Sequence, residues 1–275
     1  MTLIINNAIT IKTQSFSGGE RHIQLNNLPT YAPNDIKIQA RINSSDDLMD
    51  LLLLQNALDN HYGEKVFITL EIPYLPYARQ DRVCAEGQAF SLQLMTQLLK
   101  LLNLNKLTVW DCHSLVGLEL TEADNIEATQ IIKYSSKLSN ILRDKNSILI
   151  CPDKGAVKRC QKIVDDFKMN PMILCEKLRN PATGKITQTK VNAGDLSGKT
   201  AVITDDICDG GYTFIKIAEQ LKKLNAQHII LYVTHGIFSK GLTVFDNLID
   251  EIYTTNSFTQ QQNNKITVIN TGELS

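Results

Sequence analysis

Short apolar runs alternate with longer amphipathic segments along most of the chain. The short runs predict buried strands at residues 3–13, 36–41, 66–72, 106–110, 147–150, 172–174, 227–234, 248–254 and 266–270, and a further strand ends at residue 203. Helical spacing predicts helices at residues 47–58, 90–102, 134–143, 156–167 and 214–224. Alternation of strand and helix in both halves predicts an α/β fold with two tandem doubly wound domains and mostly parallel sheets. We place the domains at residues 1–132 and 133–275.

Three carboxylates follow the predicted strand that ends at Ile203. Asp205 and Asp206 are adjacent, and Asp209 comes three residues later. Like charges repel an anionic ligand unless the carboxylates contact something else. Vicinal ribose hydroxyls donate readily to carboxylates, and Mg²⁺ prefers carboxylate ligands. The aspartates therefore indicate a ribose or a magnesium ion.

A glycine turn comes directly after these aspartates. Gly210 and Gly211 permit a positive φ, and Thr213 is predicted to cap the helix over residues 214–224. A turn that opens a helix presents free N–H groups and the positive end of the helix dipole to an anion. We interpret residues 201–214 as a ribose-phosphate pocket, although a polar turn and a capped helix without a ligand would share this pattern.

Polar residues also follow other predicted strands. Ligands in α/β sheets bind beyond the carboxyl ends of strands, so these positions are candidate ligand contacts, although charged loops and strand-end histidines are common without any ligand. The residues are Arg79, Gln80, His113 and Asp153.

Two cations lie in a polar segment, residues 176–185, that is predicted to form a mobile loop. Lys177 and Arg179 are two residues apart, so in an extended backbone both side chains point to one side. Such a pair could close over a polyphosphate, or it could be an ordinary basic loop.

Composition narrows the class of protein. A chain of 275 residues is long enough for two α/β domains, and its formal net charge of −1 provides no basic field for nucleic acid or an anionic membrane. No apolar run approaches membrane-spanning length, and the six cysteines form no CxxC pair. We therefore expect a cytoplasmic protein without a nucleic-acid or membrane partner.

Seven segments resemble, in order and spacing, the phosphoribosyl-pyrophosphate synthetases, also called ribose-phosphate diphosphokinases. They are FSGGE, YARQDR, WDCHS, CPDKGAVKR, the pair Lys177 and Arg179, DDICDGGYT and THGIFS. The resemblance covers nearly the whole chain. It implies two tandem domains of the type I phosphoribosyltransferase kind, in a homodimer or hexamer with ATP sites at the subunit interfaces.

The resemblance also implies a reaction and a donor site. MgATP would give its diphosphoryl group to the anomeric hydroxyl of a ribose phosphate, and AMP would leave. Four positions would bind ATP, the first two from a neighbouring subunit: Phe16, Glu20, Arg79 and Gln80. Three positions would be catalytic: Lys177, Arg179 and His113. Two would contact metal: His113 and Asp153.

The implied acceptor site lies in the DDICDGGYT segment. Asp205 and Asp206 would hold the ribose hydroxyls. The loop for the 5-phosphate would consist of Asp209, Gly210, Gly211, Tyr212 and Thr213.

This loop departs from the family pattern, which is close to DDxxDTGGT. Gly210 replaces a threonine, and Tyr212 replaces a glycine. A lost hydroxyl weakens a site for a terminal phosphate, whereas an aromatic ring can stack on a base. The acceptor is therefore either ribose 5-phosphate, with Tyr212 only repacking the loop, or a larger 5-substituted ribose such as ADP-ribose. The first product would be phosphoribosyl pyrophosphate, and the second would be ADP-ribose pyrophosphate, which would connect the protein to NAD metabolism.

Two other functions share part of this pattern. A phosphoribosyltransferase would have the aspartate loop but would not need the RQDR cluster or the pair Lys177 and Arg179. A non-catalytic regulatory relative of the synthetases would not need to retain these cations together with His113 and the loop aspartates.

Overall fold

The structure, a computed structural model, describes residues 3–5, 9–11, 13–26, 28, 36–63, 65–179, 186–260 and 263–271. The chain divides after Ile126 into two compact units, whereas the predicted domain boundary follows residue 132. Among the described residues, no helix is both long and apolar enough to cross a membrane.

The described residues of the first unit form eight strands and three α-helices. The strands are β1 (Leu3–Ile5), β2 (Ile9–Ile11), β3 (Thr13–Ser15), β4 (Arg21–Ile23), β5 (Ile36–Ala40), β6 (Ile68–Ile72), β7 (Leu104–Trp110) and β8 (Asp124–Ile126). The helices are α1 (Ser45–Tyr62), α2 (Ser91–Leu99) and α3 (Leu115–Thr121). β3 and β4 form a separate hairpin, and the other strands form a sheet in the order β2-β1-β5-β6-β7-β8. β5 to β8 are parallel and are joined by the three helices.

In the second unit, the part of the chain that the structure describes forms four α-helices and seven strands. They are α4 (Ala128–Ile132), α5 (Ser136–Arg143), β9 (Ser147–Cys151), α6 (Val157–Phe167), β10 (Ile173–Arg179), β11 (Ile186–Val191), β12 (Thr200–Cys208), α7 (Tyr212–Lys223), β13 (His228–Gly236), β14 (Glu251–Thr255) and β15 (Ile266–Ile269). The sheet order is β11-β10-β9-β12-β13-β14-β15. β10 and β11 pair in the antiparallel direction, and the other neighbouring strands in this order are parallel. The predicted α/β class with mostly parallel sheets is confirmed.

Local signals explain why α1 begins where it does. Ser44 adopts an extended backbone conformation, and its hydroxyl accepts a hydrogen bond from the backbone N–H of Asp47. The Asp47 carboxylate accepts the backbone N–H of Ser44 at 2.9 Å, which completes a capping box. The predicted helix over residues 47–58 lies inside α1, which begins earlier, at Ser45, because Ser44 is the cap. α1 buries Leu51, Leu54 and Leu58 in the core of the first unit.

Three predicted boundaries are wrong. The strand predicted over residues 3–13 includes the two short antiparallel strands β1 and β2. β12 does not end at Ile203 but continues to Cys208, because its pairing with β13 extends to Gly236. Residues 176–179, which were predicted to belong to a loop, instead pair with β11.

Arg21 links the β3–β4 hairpin to α1. Arg21 Nε donates to Asp50 Oδ1 at 2.8 Å, and Arg21 Nη2 contacts the second carboxylate oxygen. The same guanidinium donates to the Ser15 and Thr13 hydroxyls at 2.6 Å each. The Asp50 side chain is fully buried, so its charge depends on this bidentate partner.

Replacement of Arg21 by Gln should loosen the hairpin, because the buried Asp50 carboxylate loses its cation. We expect faster hydrogen exchange at the N–H groups of Phe16 and Gly19, which donate within the hairpin turn at 2.9 Å each. Gln14→Ala, an exposed change in the same hairpin, is the control. Unchanged exchange in Arg21→Gln would show that the anchor lies elsewhere.

Candidate active site

A strained turn follows β6 in the first unit. Tyr77 has a φ of 63°, which is uncommon for an aromatic residue, and its carbonyl accepts the backbone N–H of Gln80 at 2.8 Å. This turn exposes Arg79 and Gln80 beyond the end of the strand. Both side chains line a cavity of about 470 Å³.

A second left-handed residue directs the chain after β7 to the same cavity. Asp111 is buried and has a φ of 37°. Its backbone N–H donates to the Ile126 carbonyl at 2.7 Å, and the next N–H, of Cys112, donates to Asn125 Oδ1 at 2.9 Å. His113 then leaves the strand and lines the cavity. The structure thus brings together the predicted residues Arg79, Gln80 and His113.

Asp81 organises the cavity wall. Its carboxylate accepts from Arg82 Nε at 2.8 Å and from the Ser114 hydroxyl at 2.7 Å. Ser114 is also the N-cap of α3. The hydrogen bond from Arg82 is the main reason that the pKa of Asp81 lies below its ordinary value. The wall therefore has one carboxylate beside two guanidinium groups, those of Arg79 and Arg82, and this balance of charge suits an anionic ligand.

Phe16 and Glu20 lie at the tip of the β3–β4 hairpin, and both are exposed. The Phe16 ring lies 5.5 Å from the His22 ring, measured between centroids. The Glu20 carboxylate lies over Gly18, where a Cβ would be 2.6 Å from Glu20 Oε2. Neither Phe16 nor Glu20 lines the cavity that holds Arg79, Gln80 and His113.

In the second unit, the paired aspartates lie in β12 beyond the end of its neighbour β9. The pairing with β9 reaches Ile203, whereas the pairing with β13 continues past Asp205. Burial, followed by the charge of Asp206, raises the pKa of Asp205 well above its ordinary value. Two carboxylates that are this close and this buried need a nearby cation to remain ionised.

Arg159 of α6 supplies that cation, and the sequence analysis did not select it. Its Nη1 lies 3.5 Å from Asp205 Oδ1 and 3.6 Å from Asp206 Oδ1. Arg159 is the last residue of the CPDKGAVKR segment, which the sequence analysis did identify. Its contact with Asp205 could not be predicted, because Asp205 lies 46 residues away along the chain.

The glycine turn after β12 opens α7 differently from the prediction. The helix begins at Tyr212, and its N-cap is Gly211 with a φ of 78° and no side-chain cap. The predicted cap at Thr213 is wrong, because Thr213 already lies in the first turn. Any Cβ at Gly211 would come within 2.5 Å of the Phe245 ring, so this position requires glycine for both space and backbone conformation.

Asp153 begins the turn after β9. Its Oδ1 accepts the backbone N–H groups of Gly155 at 2.8 Å and Ala156 at 3.2 Å, which orients the carboxylate. Within the described part of the chain, no group of three or more His, Cys, Asp or Glu residues could hold a metal ion. A magnesium ion carried by phosphates needs only one or two protein ligands. The oriented carboxylate of Asp153 therefore suits Mg²⁺ that arrives with a nucleotide better than a resident metal.

The backbones of Lys177 and Arg179 lie in β10, opposite Thr189 and Ile186 of β11. The strand register shifts between Leu178 and Arg179. The rest of the predicted loop, residues 180–185, lies outside the described residues.

Comparisons with known proteins agree over both units. Residues 4–102 match the family model for the N-terminal domain of ribose phosphate pyrophosphokinase, and residues 120–263 match that for the phosphoribosyl transferase domain. The ribose-phosphate pyrophosphokinase of Mycoplasmopsis pulmonis is 32% identical over 88% of this chain and 74% of its own length. That of Pyrococcus furiosus is 32% identical over 90% of this chain and 85% of its own length.

A solved structure confirms the fold. The phosphoribosylpyrophosphate synthetase of Mycobacterium smegmatis superposes with a TM-score of 0.81, covering 96% of this chain and 87% of its own, at 22% identity. The two α/β units are thus of the type I phosphoribosyltransferase kind. The chain belongs to the ribose-phosphate pyrophosphokinase family of enzymes.

Proposed function

We propose that this enzyme transfers the diphosphoryl group of MgATP to the anomeric 1-hydroxyl of a ribose that carries a 5-phosphoryl group, with release of AMP. The observation that carries the proposal is the order of groups at the end of β12. Two carboxylates, Asp205 and Asp206, are followed by the glycine turn that opens α7 and begins at Gly210. Carboxylates suit vicinal hydroxyls and a helix N-terminus suits a phosphoryl group, and one ribose phosphate presents both.

The cavity in the first unit would bind the donor. Its volume is within the usual range for small-molecule sites, and Arg79 and Arg82 would face the triphosphate. Asp81 holds Arg82 in place, so the cation need not be ordered when ATP binds. Phe16 and Glu20 would complete the adenine site from a neighbouring subunit, in a homodimer or hexamer.

The chemical step is one in-line displacement at the β-phosphorus of ATP. A bond forms between that phosphorus and the anomeric oxygen, while the bond to the oxygen shared with the α-phosphorus breaks. AMP leaves with the electron pair, and the hydroxyl proton passes to solvent. Asp205 and Asp206 would hold the ribose hydroxyls and so orient the anomeric oxygen, and Lys177 and Arg179 would stabilise charge on the transferring group.

His113, in the first unit, would contact the Mg²⁺ that arrives with ATP, and Asp153, in the second unit, would contact a second Mg²⁺. Each ion, when bound, would offset negative charge of the phosphates. The Asp153 carboxylate is already oriented by two backbone N–H groups. The protein therefore supplies orientation on the acceptor side and cations on the donor side, without a covalent intermediate.

The acceptor loop supports a substrate larger than ribose 5-phosphate. The Tyr212 side chain is 56% exposed, so its ring is not part of the core, and Lys216 Nζ lies 5.9 Å from the ring centroid. An exposed ring at the start of α7 is free to stack on a base. ADP-ribose has the same free anomeric hydroxyl and adds such a base, so we propose it as the preferred acceptor, with ribose 5-phosphate as the alternative.

A product assay tests both statements. Purified protein, MgATP and either ribose 5-phosphate or ADP-ribose are incubated, and AMP and the diphosphorylated product are identified by mass spectrometry. We expect AMP without any nucleobase, and faster turnover with ADP-ribose. A phosphoribosyltransferase would release no AMP from these substrates. It would instead release pyrophosphate when it is incubated with phosphoribosyl pyrophosphate and a nucleobase. No turnover in either incubation would indicate a non-catalytic relative.

A variant with the family's loop residues is the matched control for acceptor choice. Gly210→Thr with Tyr212→Gly should move preference towards ribose 5-phosphate. A Cβ at Gly210 meets only ordinary contacts, 3.6 Å from Lys240 and 3.9 Å from Ser239, so the threonine fits. An unchanged acceptor ratio would show that Tyr212 only repacks the loop.

Replacement of Lys177 and Arg179 together by Ala should abolish turnover while ATP still binds. Loss of one transition-state cation typically lowers kcat by about 10²- to 10³-fold. Turnover and calorimetric ATP binding measure the two effects separately. Lys190→Ala, an exposed change on β11, is the control. Unchanged turnover in the double variant would exclude the assigned role.

Arg159→Met should shift the pH dependence of acceptor use. Without this cation the pKa of Asp205 rises further, and a protonated carboxyl accepts a ribose hydroxyl less strongly than a carboxylate does. We expect the acid limb of kcat/KM for the acceptor to move to higher pH. Arg159→Lys retains the charge and should restore most of the profile. A loss of activity that is equal at every pH would contradict this role.

A further inference from the structure

The loop that follows β13 is bound to the loop that follows β12. The backbone N–H groups of Ile237 and Phe238 donate to the Cys208 carbonyl at 2.9 and 3.1 Å. The N–H of Ser239 donates to the Asp209 carbonyl at 3.2 Å. Lys240, the next residue, is therefore held beside the proposed site for the 5-phosphoryl group.

The stem of Lys240 crosses Gly210. A Cβ at Gly210 would lie 3.6 Å from Lys240 Cγ, which is van der Waals contact. Gly210 is the position where the family pattern has a threonine. The lysine side chain therefore lies beside position 210, where this chain has no hydroxyl donor and the family pattern has one.

The charge of Lys240 is available to a ligand. The side chain is exposed, and the described residues include no ion-pair partner for it. By contrast, both oxygens of the Glu219 carboxylate lie 2.9 Å from the Lys216 ammonium, and Asp246 lies 2.7 Å from that of Lys265. Among these lysines of the second unit, Lys240 can bind a phosphoryl group without first breaking an ion pair.

The acceptor site also needs an added cation. Asp205, Asp206 and Asp209 place three carboxylates near the position of an anionic group. Arg159 contacts the first two, and the N-terminus of α7 contributes only about half a positive charge. A lysine ammonium adds a full charge and up to three donors.

We propose that Lys240 binds the 5-phosphoryl group of the acceptor and replaces the donor that the family obtains from a threonine at position 210. This inference rests on the proposed function. A hydroxyl at position 210 is aimed at one oxygen, whereas a flexible ammonium follows a phosphoryl group that carries a further substituent. The pairing of Gly210 with Lys240 is therefore a determinant of acceptor specificity.

The test compares kinetic constants of matched variants. Lys240→Met keeps the stem over Gly210 but removes the charge, and Lys240→Arg keeps the charge. We expect Lys240→Met to raise the KM for ADP-ribose by about 10- to 100-fold, as for a lost charge-assisted hydrogen bond, with kcat and the KM for ATP changed less than about twofold. Lys240→Arg should stay near wild type. Lys223→Met, an exposed change at the opposite end of α7, should have no effect.

A rescue variant separates a binding role from a packing role. Gly210→Thr combined with Lys240→Met should recover part of the affinity for ribose 5-phosphate, since the hydroxyl donor returns. An unchanged KM for the acceptor in Lys240→Met would overturn the proposal. An equal rise in the KM for the acceptor and the KM for ATP would also overturn it.

Direct measurement of acceptor binding distinguishes a failure of the proposed function from a failure of the role proposed for Lys240. If the wild-type protein turns over neither acceptor, the proposed function fails, and calorimetric titration with ribose 5-phosphate and with ADP-ribose still tests Lys240. Weaker binding of either compound in Lys240→Met than in Lys223→Met would support the role of Lys240. Equal binding of both compounds in the two variants, including no binding, would overturn it.

Discussion

The proposed acceptor site depends on the free energy that is needed to keep two adjacent carboxylates ionised at the buried end of β12. Asp206 is 4% exposed, and its charge is the second cause, after burial, of the raised pKa of Asp205. Such a pair is useful because it can accept two ribose hydroxyls, but it must be compensated by positive charge that does not occupy the same space. Arg159 contacts both carboxylates from α6, and the start of α7 adds partial charge.

Parallel strands make this arrangement easy to build. Their carboxyl ends meet at one edge of the sheet, so loops that are far apart in the chain become neighbours. Direct hydrogen bonds join such loops. In the first unit, the Ser114 hydroxyl, after β7, donates to the Asp81 carboxylate, after β6. In the second unit, the backbone N–H of Ser239, after β13, donates to the Asp209 carbonyl, after β12. Left-handed backbones at Tyr77 and Asp111 add local strain next to the cavity. Strain of this kind persists where the surrounding structure holds a residue in a specific position.

Local patterns revealed much of the candidate site. Arg79, Gln80 and His113 could be selected because each follows a predicted strand, and the structure places all three at one cavity. The aspartates were found for the same reason, although β12 continues past them. The predicted cap at Thr213 was wrong because α7 begins before residue 214, at Tyr212, with Gly211 as its cap.

The sequence by itself determined the α/β class, the alternation of strands and helices, and the positions of the carboxylates and the glycine turn, because these follow from periodicity and from residue chemistry over a few neighbouring positions. Only the tertiary structure decided which distant side chains complete the site. Arg159 contacts Asp205, which lies 46 residues further along the chain, and also Asp206. The side chain of Lys240, from the loop after β13, contacts the space beside Gly210. The physical reason is that strand order and pairing register determine these contacts, and both depend on how the whole sheet packs.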